Sequence, residues 1–369
     1  MRKMIALLVA LLLCFGLLAG CGSPAPAAPA TPTPSPGATP DGAGADDGHT
    51  YIAMVIRSLS NPFHQMVIRG VHMFAEYRGI PEEYVLILLH DGDSERLLRD
   101  MQAQIARTGG NIVFQVDPNQ MSDLIPIAEI AEEAGVYWTS IWRRPDEIRV
   151  SDYEHWVSAI NFDDFQSGYQ SGRALFEAMG GEGELWVLDG TAGHAAAMAR
   201  REGLDYALTH FPGITLVGAE DCGWELSRAN ASAGNAVAAF PNLAGIWSAN
   251  DNMAIGAIEA LRARGLAGEV KVAGVNAIPD MIDAIINGEA VATISTDPLW
   301  QGGIGMAMAL DAKRGIHNHR ALGEEYRYWL ADVLLITTEN AQYFLDNYIN
   351  GNPTFDYTDY FGGKYLGPA

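Results

Sequence analysis

From Tyr51 onward the chain repeats one pattern: a short run of β-branched and apolar residues, a polar turn, an amphipathic stretch, and then another apolar run. Runs at 51–56, 84–89, 112–116, 136–141, 157–160, 185–189, 214–218, 245–248, 270–275, 290–295 and 327–336 read as strands. Between them Phe63, Val67, Val71 and Phe74 fall at helical spacing, and Asp251 to Arg264 turns Ile255, Ile258 and Leu261 to one side. Strands that are apolar almost throughout are buried on both faces, and strands alternating with helices pair in parallel. The expected fold class is therefore α/β with doubly wound parallel sheets. So many strands exceed an ordinary open sheet, and near Ser158 to Asp163 a strand runs into "NFDDFQSGYQSG". That change predicts a passage into a second lobe. Because the last elements must complete both sheets, further crossings are expected near Thr293–Asp297 and near Leu330–Ile336. No sequence repeat links the halves.

Ahead of this pattern the chain has another character. Met1-Arg2-Lys3-Met4 is a charged start, Ile5 to Leu18 is apolar, and Ala19-Gly20-Cys21 is a small-residue cleavage site, so residues 1–20 read as a signal peptide. The apolar stretch is shorter than a membrane span requires. The ending "LLAGC" resembles a bacterial lipobox, which implies a lipid on Cys21 and a location on the extracytoplasmic face of the membrane. Residues 21–49, rich in Pro, Ala, Thr and Gly, have almost nothing to bury and are expected to act as a tether. The expected lobes are 50–160 plus 297–330 and 161–296 plus 331–350, with 351–369 as a C-terminal tail.

Charge and cysteine count exclude several functions. Without Arg2 and Lys3, 21 basic residues (23 less 2) face 45 acidic ones, a balance of −24 that repels nucleic acid and anionic lipid. With Cys14 in the signal peptide and Cys21 lipidated, Cys222 is the one thiol left, so neither a disulfide framework nor a cysteine metal site is possible. Hydrolase, zinc-protease and P-loop signatures are absent. "DGDSE" at 91–95 lacks the calcium-loop glycine and the closing glutamate, and reads as a polar loop capping a helix from Ser94. "DGTAG" at 189–193 lacks the dinucleotide fingerprint, and His317 and His319 in "GIHNH" read as solvated loop residues. No metal or cofactor is expected.

The loop after the first strand, "SLSNPFHQM", starts a helix with Asn61 as cap and Pro62 in the first turn. Phe63 and His64 then stand at the C-terminal end of a strand, where ligands sit in open α/β sheets. Together with "AGVYWTSIWRRP", "INFDDFQSGYQSG", "LDGTAGHAAAMARREGL", "AGIWSANDNMAIGAIEAL" and "KVAGVNAIPDMIDAIINGEAVATI", in this order, the segment is similar to the ribose-binding type of periplasmic binding protein, over roughly residues 50 to 350. That resemblance implies a type 1 fold of two lobes joined by three crossovers, with a sugar held in the cleft and delivered to an ABC permease. It implies a monomer that makes and breaks no bond. The alternative is a sensor of the same fold serving a chemoreceptor or histidine kinase.

Residue by residue, the resemblance implies that Asn61 hydrogen-bonds the sugar, that Phe63 stacks on it and that His64 replaces a second aromatic. Arg143 and Arg200 fall on two ligand-binding arginines, Trp224 on an aromatic of the second lobe and Asn250 on a ligand-binding asparagine. Arg144 is expected to be solvated, and Asp251 to start a helix. Three positions depart from the pattern: Trp142 and Asn276 replace aspartates and Thr296 replaces a glutamine. The two arginines are thereby expected to lack carboxylate partners, which suggests a solute bearing negative charge unless Asp163 or Asp297 supplies it. Trp138, Trp142 and Trp300 are candidates to widen the aromatic surface, Trp138 being the one best suited to the core.

Overall fold

The computed structural model describes residues 48–142 and 144–362. The signal peptide, Cys21, the tether up to Asp47 and Arg143 lie outside the described residues.

Two six-stranded sheets form the frame. The first contains β1 (Tyr51–Ile56), β2 (Val85–Leu89), β3 (Ile112–Val116), β4 (Trp138–Ile141), β5 (Trp156–Asn161) and β11 (Tyr328–Leu330), in the order β11-β5-β4-β3-β1-β2. The second contains β6 (Glu182–Asp189), β7 (Gly213–Asp221), β8 (Leu243–Ser248), β9 (Lys271–Ala273), β10 (Ala292–Ser295) and β12 (Leu334–Thr337), in the order β12-β10-β9-β8-β6-β7. All pairings are parallel except β10 with β12. Burial on both faces of a parallel sheet accounts for the uninterrupted apolar run of β1, and in β3 and β4 it also encloses Gln115, Thr139 and Ser140. The strand expected at 327–336 is in fact two. Tyr328–Leu330 pairs with β5 and Leu334–Thr337 with β10, the chain changing sheet over Ala331 to Val333. An apolar run cannot reveal that its two halves serve different partners.

Helices cover both faces of each sheet. α1 (Pro62–Arg78) starts where Asn61 Oδ1 accepts from the Phe63 N–H at 3.0 Å and ends at Gly79 in the left-handed conformation. α2 (Ser94–Thr108) is capped by Asp93, and α3 is Leu124–Ala134. α4 (Asp164–Ala178), α5 (Ala195–Leu208), α6 (Leu226–Ala239), α7 (Asp251–Arg262) and α8 (Pro279–Ile286) belong to the second lobe. α9 (Pro298–Lys313) returns to the first lobe and is buried from Pro298 to Ala312. Close helix approach uses glycine in both lobes: a Cβ on Gly70 of α1 would overlap the Leu299 carbonyl, and one on Gly168 of α4 the Arg200 carbonyl. No helix of the described residues is long and apolar enough to cross a membrane.

The crossings decide two expected roles. Asp163 adopts positive φ and caps α4 by accepting from the Gln166 N–H at 3.0 Å. Asp297 also adopts positive φ, caps α9 at the Trp300 N–H, and accepts from Tyr348 Oη at 2.5 Å. Both carboxylates are committed to chain reversal, so neither is the charge partner sought for the arginines. Trp138 stacks on Trp156 with centroids 4.6 Å apart, and Trp300 packs edge-on against Phe162 and Trp329. Both are fully buried core residues, and Trp300 adds nothing to an aromatic cleft surface.

Beyond β12 the chain turns back across the first lobe. Arg69 of α1 donates to the carbonyls of Ile349 and Gly351, each at 3.1 Å. Tyr357 is buried edge-on to Phe74 of α1, and Tyr360 Oη donates to Asp311 of α9 at 2.7 Å. Residues 351–362 therefore form a strap on the first lobe. His319 is not solvated but buried, with Nε2 2.9 Å from the Glu154 carbonyl, and His317 is half-buried against the Tyr360 ring. Arg144 is likewise buried rather than solvated, 4.4 Å from the Tyr328 ring centroid and 3.2 Å from Glu324 Oε1.

Candidate functional site

At the C-terminal ends of both sheets the lobes face each other across a cavity whose empty space, open solvent included, is about 430 Å³. This is the location at which open α/β sheets bind ligands.

The first-lobe wall is built on the loops after β1, β3 and β4. Phe63 is nearly buried, its ring centroid 6.1 Å from that of Trp142. Trp142 has φ 72°, a costly conformation for a bulky residue. Two bonds hold it there: its backbone N–H donates to the Ile160 carbonyl at 2.8 Å, and Nε1 donates to Asp117 Oδ1 at 2.8 Å. Asp117 extends β3 and is buried, and desolvation raises its carboxyl to about 7 against the opposing pull of Trp142 and the Arg57 charge. His64 Nδ1 lies 2.8 Å from the Ser58 carbonyl. Burial lowers His64 to about 4, only partly offset by that carbonyl, so the ring is neutral at pH 7. Arg57 donates from Nη1 to Asn119 Oδ1 at 2.8 Å. Immediately behind, His90 is also held near 4 by burial.

The second-lobe wall comes from the loops after β6, β7, β8 and β9. His194 caps α5, its Nδ1 accepting from the Ala196 N–H at 3.2 Å, and burial lowers it to about 3. Arg200, one turn along α5, is 2 % exposed. Its Nε donates to Asp164 Oδ1 at 2.8 Å and its Nη1 to the Ala249 carbonyl at 2.9 Å. Burial raises Asp164 while the Arg200 charge pulls it back. Trp224 has φ 68° and lies flat over Gly190, where any Cβ would collide with the indole. Asn250 caps α7 through Oδ1 to the Met253 N–H at 2.9 Å. Asn276 has φ 123°, and its buried Nδ2 has no hydrogen-bond partner.

The structure thus brings Asn61, Phe63, His64, Trp142, Arg200, Trp224, Asn250 and Asn276 to one cavity. Thr296 is the exception: it is buried at the crossing before α9, its hydroxyl has no partner, and it does not line the cavity. The expectation that Arg200 lacks a carboxylate is overturned by Asp164, which adjoins the capping residue Asp163 and was hidden by it. Arg57, Asp117, Asn119 and His194 also line the cavity and escaped the sequence reading. Their signal is position alone, since Arg57 and Asp117 directly follow the C-terminal ends of β1 and β3. Asp251 does start α7, but as a buried brace: its carboxylate accepts from Thr293 Oγ1 at 2.8 Å and from the Ile278 N–H at 3.1 Å. The walls meet directly where the Arg200 guanidinium carbon lies 5.6 Å from the Trp142 ring centroid.

Residues 52–316 match the family described as "Periplasmic binding protein domain". The D-allose-binding periplasmic protein of Escherichia coli K12 is 26% identical over 287 residues, covering 77% of this chain and 91% of that protein. A crystal structure titled as a twin-arginine translocation pathway signal protein from Burkholderia phytofirmans superposes with a TM-score of 0.82 at 34% identity, covering 87% of this chain and 99% of that one. A periplasmic solute-binding protein of an ABC transporter from Actinobacillus succinogenes 130z, with D-allose bound, gives a TM-score of 0.71 at 27% identity, covering 80% and 100%.

Proposed function

Because the chain belongs to the periplasmic binding protein domain family, as the sugar-binding component of an ABC importer, we propose that it holds a neutral sugar in the interlobe cleft and delivers it to a membrane permease by hinge closure. The observation that carries this reading is the cavity itself, in which the rings of Phe63, Trp142 and Trp224 stand among fixed polar groups. Aromatic faces suit the C–H bonds of a sugar ring, and placed donors and acceptors suit its hydroxyls. Asp164 favours a neutral solute at Arg200, because a buried guanidinium already paired in the protein does not require a charged ligand. In this reading Asn61, Asn250 and Asn276 offer amide groups to the hydroxyls, and Arg143 joins Arg200.

The bodies that close are residues 50–160 with 297–330 and residues 161–296 with 331–350. A ligand touching both walls favours the closed form by contacts that the open form lacks. The mature protein is a monomer tethered through a lipid on Cys21, which Cys21→Ser would abolish. The test is thermal stability against D-allose, D-ribose, myo-inositol and glycerol. A true ligand at one hundred times its dissociation constant adds about 2.7 kcal/mol. No shift with any of them would refute the sugar reading.

A further inference from the structure

A sugar hydroxyl both donates and accepts, so a cleft that recognises it needs acceptors as well as donors. Donors are plentiful. Arg57 and Arg200 only donate, His194 has Nε2–H left because its Nδ1 accepts from the Ala196 N–H, and Asn276 Nδ2 is buried and unpartnered. Acceptors are scarce. The side-chain oxygens of Asn61 and Asn250 are engaged in capping α1 and α7, and that of Asn119 takes the Arg57 bond. The aspartates expected from the family resemblance are Trp142 and Asn276 here.

Two acceptors on the first-lobe wall take part in neither a helix cap nor the Arg57 bond. His64 Nδ1 faces a carbonyl, which can only accept, so Nδ1 carries the proton and Nε2 presents a lone pair. Asp117 uses Oδ1 for Trp142, leaving Oδ2. His64 Nε2 and Asp117 Oδ2 are 4.0 Å apart, too far for a hydrogen bond, and with a neutral imidazole they are not an ion pair. Both side chains are at least nine-tenths buried and line the cavity.

We infer that Asp117 and His64 form the hydroxyl-accepting corner of this cleft, each taking a hydrogen bond from one of two adjacent hydroxyls of the bound sugar. The inference rests on the sugar-binding reading above and deepens it by naming what the solute must present: a vicinal diol directed at the end of β3. The carboxylate that a related cleft would place on the loops after β4 or β9 has moved to β3, and Trp142 is its anchor.

Ionisation supplies an independent readout. A hydroxyl that donates to Asp117 favours the ionised carboxylate, so binding expels a proton wherever the empty site is protonated, and affinity rises with pH until Asp117 is ionised in the empty site. The charged and titratable groups facing it are Arg57 after β1, His64 on α1 and His90 after β2, with His194 and Arg200 across the cleft. The three histidines stay neutral well below pH 6, and the arginines do not titrate. Asp251, the other carboxyl pushed to about 7, is bound by Thr293 and the Ile278 N–H and does not line the cavity.

The experiment is calorimetric titration of the wild type, Asp117→Asn and His64→Phe with D-allose and D-ribose from about pH 5.5 to about pH 8. Asp117→Asn keeps an oxygen for Trp142 and replaces the free acceptor by a donor. Its affinity is expected to fall about 10- to 100-fold and to lose its rise with pH, while His64→Phe is expected to lose about 10-fold and keep that rise. If the wild type binds a sugar and Asp117→Asn binds it within about twofold with an unchanged pH profile, this proposal fails and the sugar reading stands. If Asp117→Asn does not fold, a flat wild-type profile with unimpaired His64→Phe overturns the proposal just as well. If neither sugar binds the wild type, the sugar reading fails for these probes and the proposal with it.

Discussion

The two walls of the cleft solve the same problem, polar groups in a buried place, by different means. On the first-lobe wall, Arg57 apart, charge is suppressed: His64 and His90 are neutral because burial opposes protonation, and desolvation raises Asp117, whose hydrogen-bonding side-chain partner among the described residues is the Trp142 indole N–H. On the second-lobe wall His194 is likewise neutral, but the charge of Arg200 is kept and paired with Asp164 on an adjoining helix. Neutral groups adapt to the solute through hydrogen-bond polarity, whereas a buried charge pair is a fixed brace whose loss is felt by the whole lobe. The first lobe has its brace elsewhere, in the strap of residues 351–362 behind α1 and α9.

The sharpest way to break this contrast is Asp164→Ala, which leaves Arg200 buried and uncompensated. It should cost about 3–5 kcal/mol in denaturant unfolding, and a loss below about 1 kcal/mol would show that the pair is not a brace. The strap comes next. Tyr357→Ala removes a ring that is 2 % exposed and should cost about 3 kcal/mol; unchanged stability would mean that the strap rests on the lobe without supporting it.

Suppressed charge on the first wall has a pH signature. The folded value for His64 is about 4 against 6.5 unfolded, so the unfolded chain takes up the proton first as pH falls. The stability it contributes is complete above about 6.5 and drains away on acidification towards 4, about 2 kcal/mol of it by pH 5. His64→Phe should flatten the stability profile by that amount over this window, and a profile parallel to that of the wild type would show that folding leaves the imidazole pKa unshifted. Least affected should be Thr296→Val. It deletes a buried hydroxyl without a partner, so stability should stay within about 1 kcal/mol. Sugar affinity should not move, and a tenfold loss would place Thr296 in contact with the solute after all.

The alternation of apolar runs with helical periodicity was sufficient to predict doubly wound parallel sheets, since nothing else buries such strands on both faces. Caps were equally readable: Asn61 and Asp93 announce helices within a few residues, where the physics is local. The run at 327–336 marks the limit, because strand propensity is the same whichever sheet supplies the partner. Arg144 and His319 mark it again. A charged or polar residue beside turn chemistry reads as solvated until another element, here the segment around Glu324 and Tyr328 or the Glu154 carbonyl, is folded against it.

By itself the sequence determined the layered α/β frame and the strand-end positions of Asn61 and Phe63, because periodicity and capping act over a few residues, whereas Arg200, Trp224, Asn250 and Asn276 were legible only through the family resemblance. Only the tertiary structure decided which charges are answered and which are extinguished. Asp164 lies 36 residues from Arg200, and Asp117 lies 25 from Trp142. Whether each pair meets depends on the order in which the strands assemble. How far His64, His194 and Asp117 are driven from their ordinary protonation depends on desolvation, a property of the closed cleft and not of any segment that lines it.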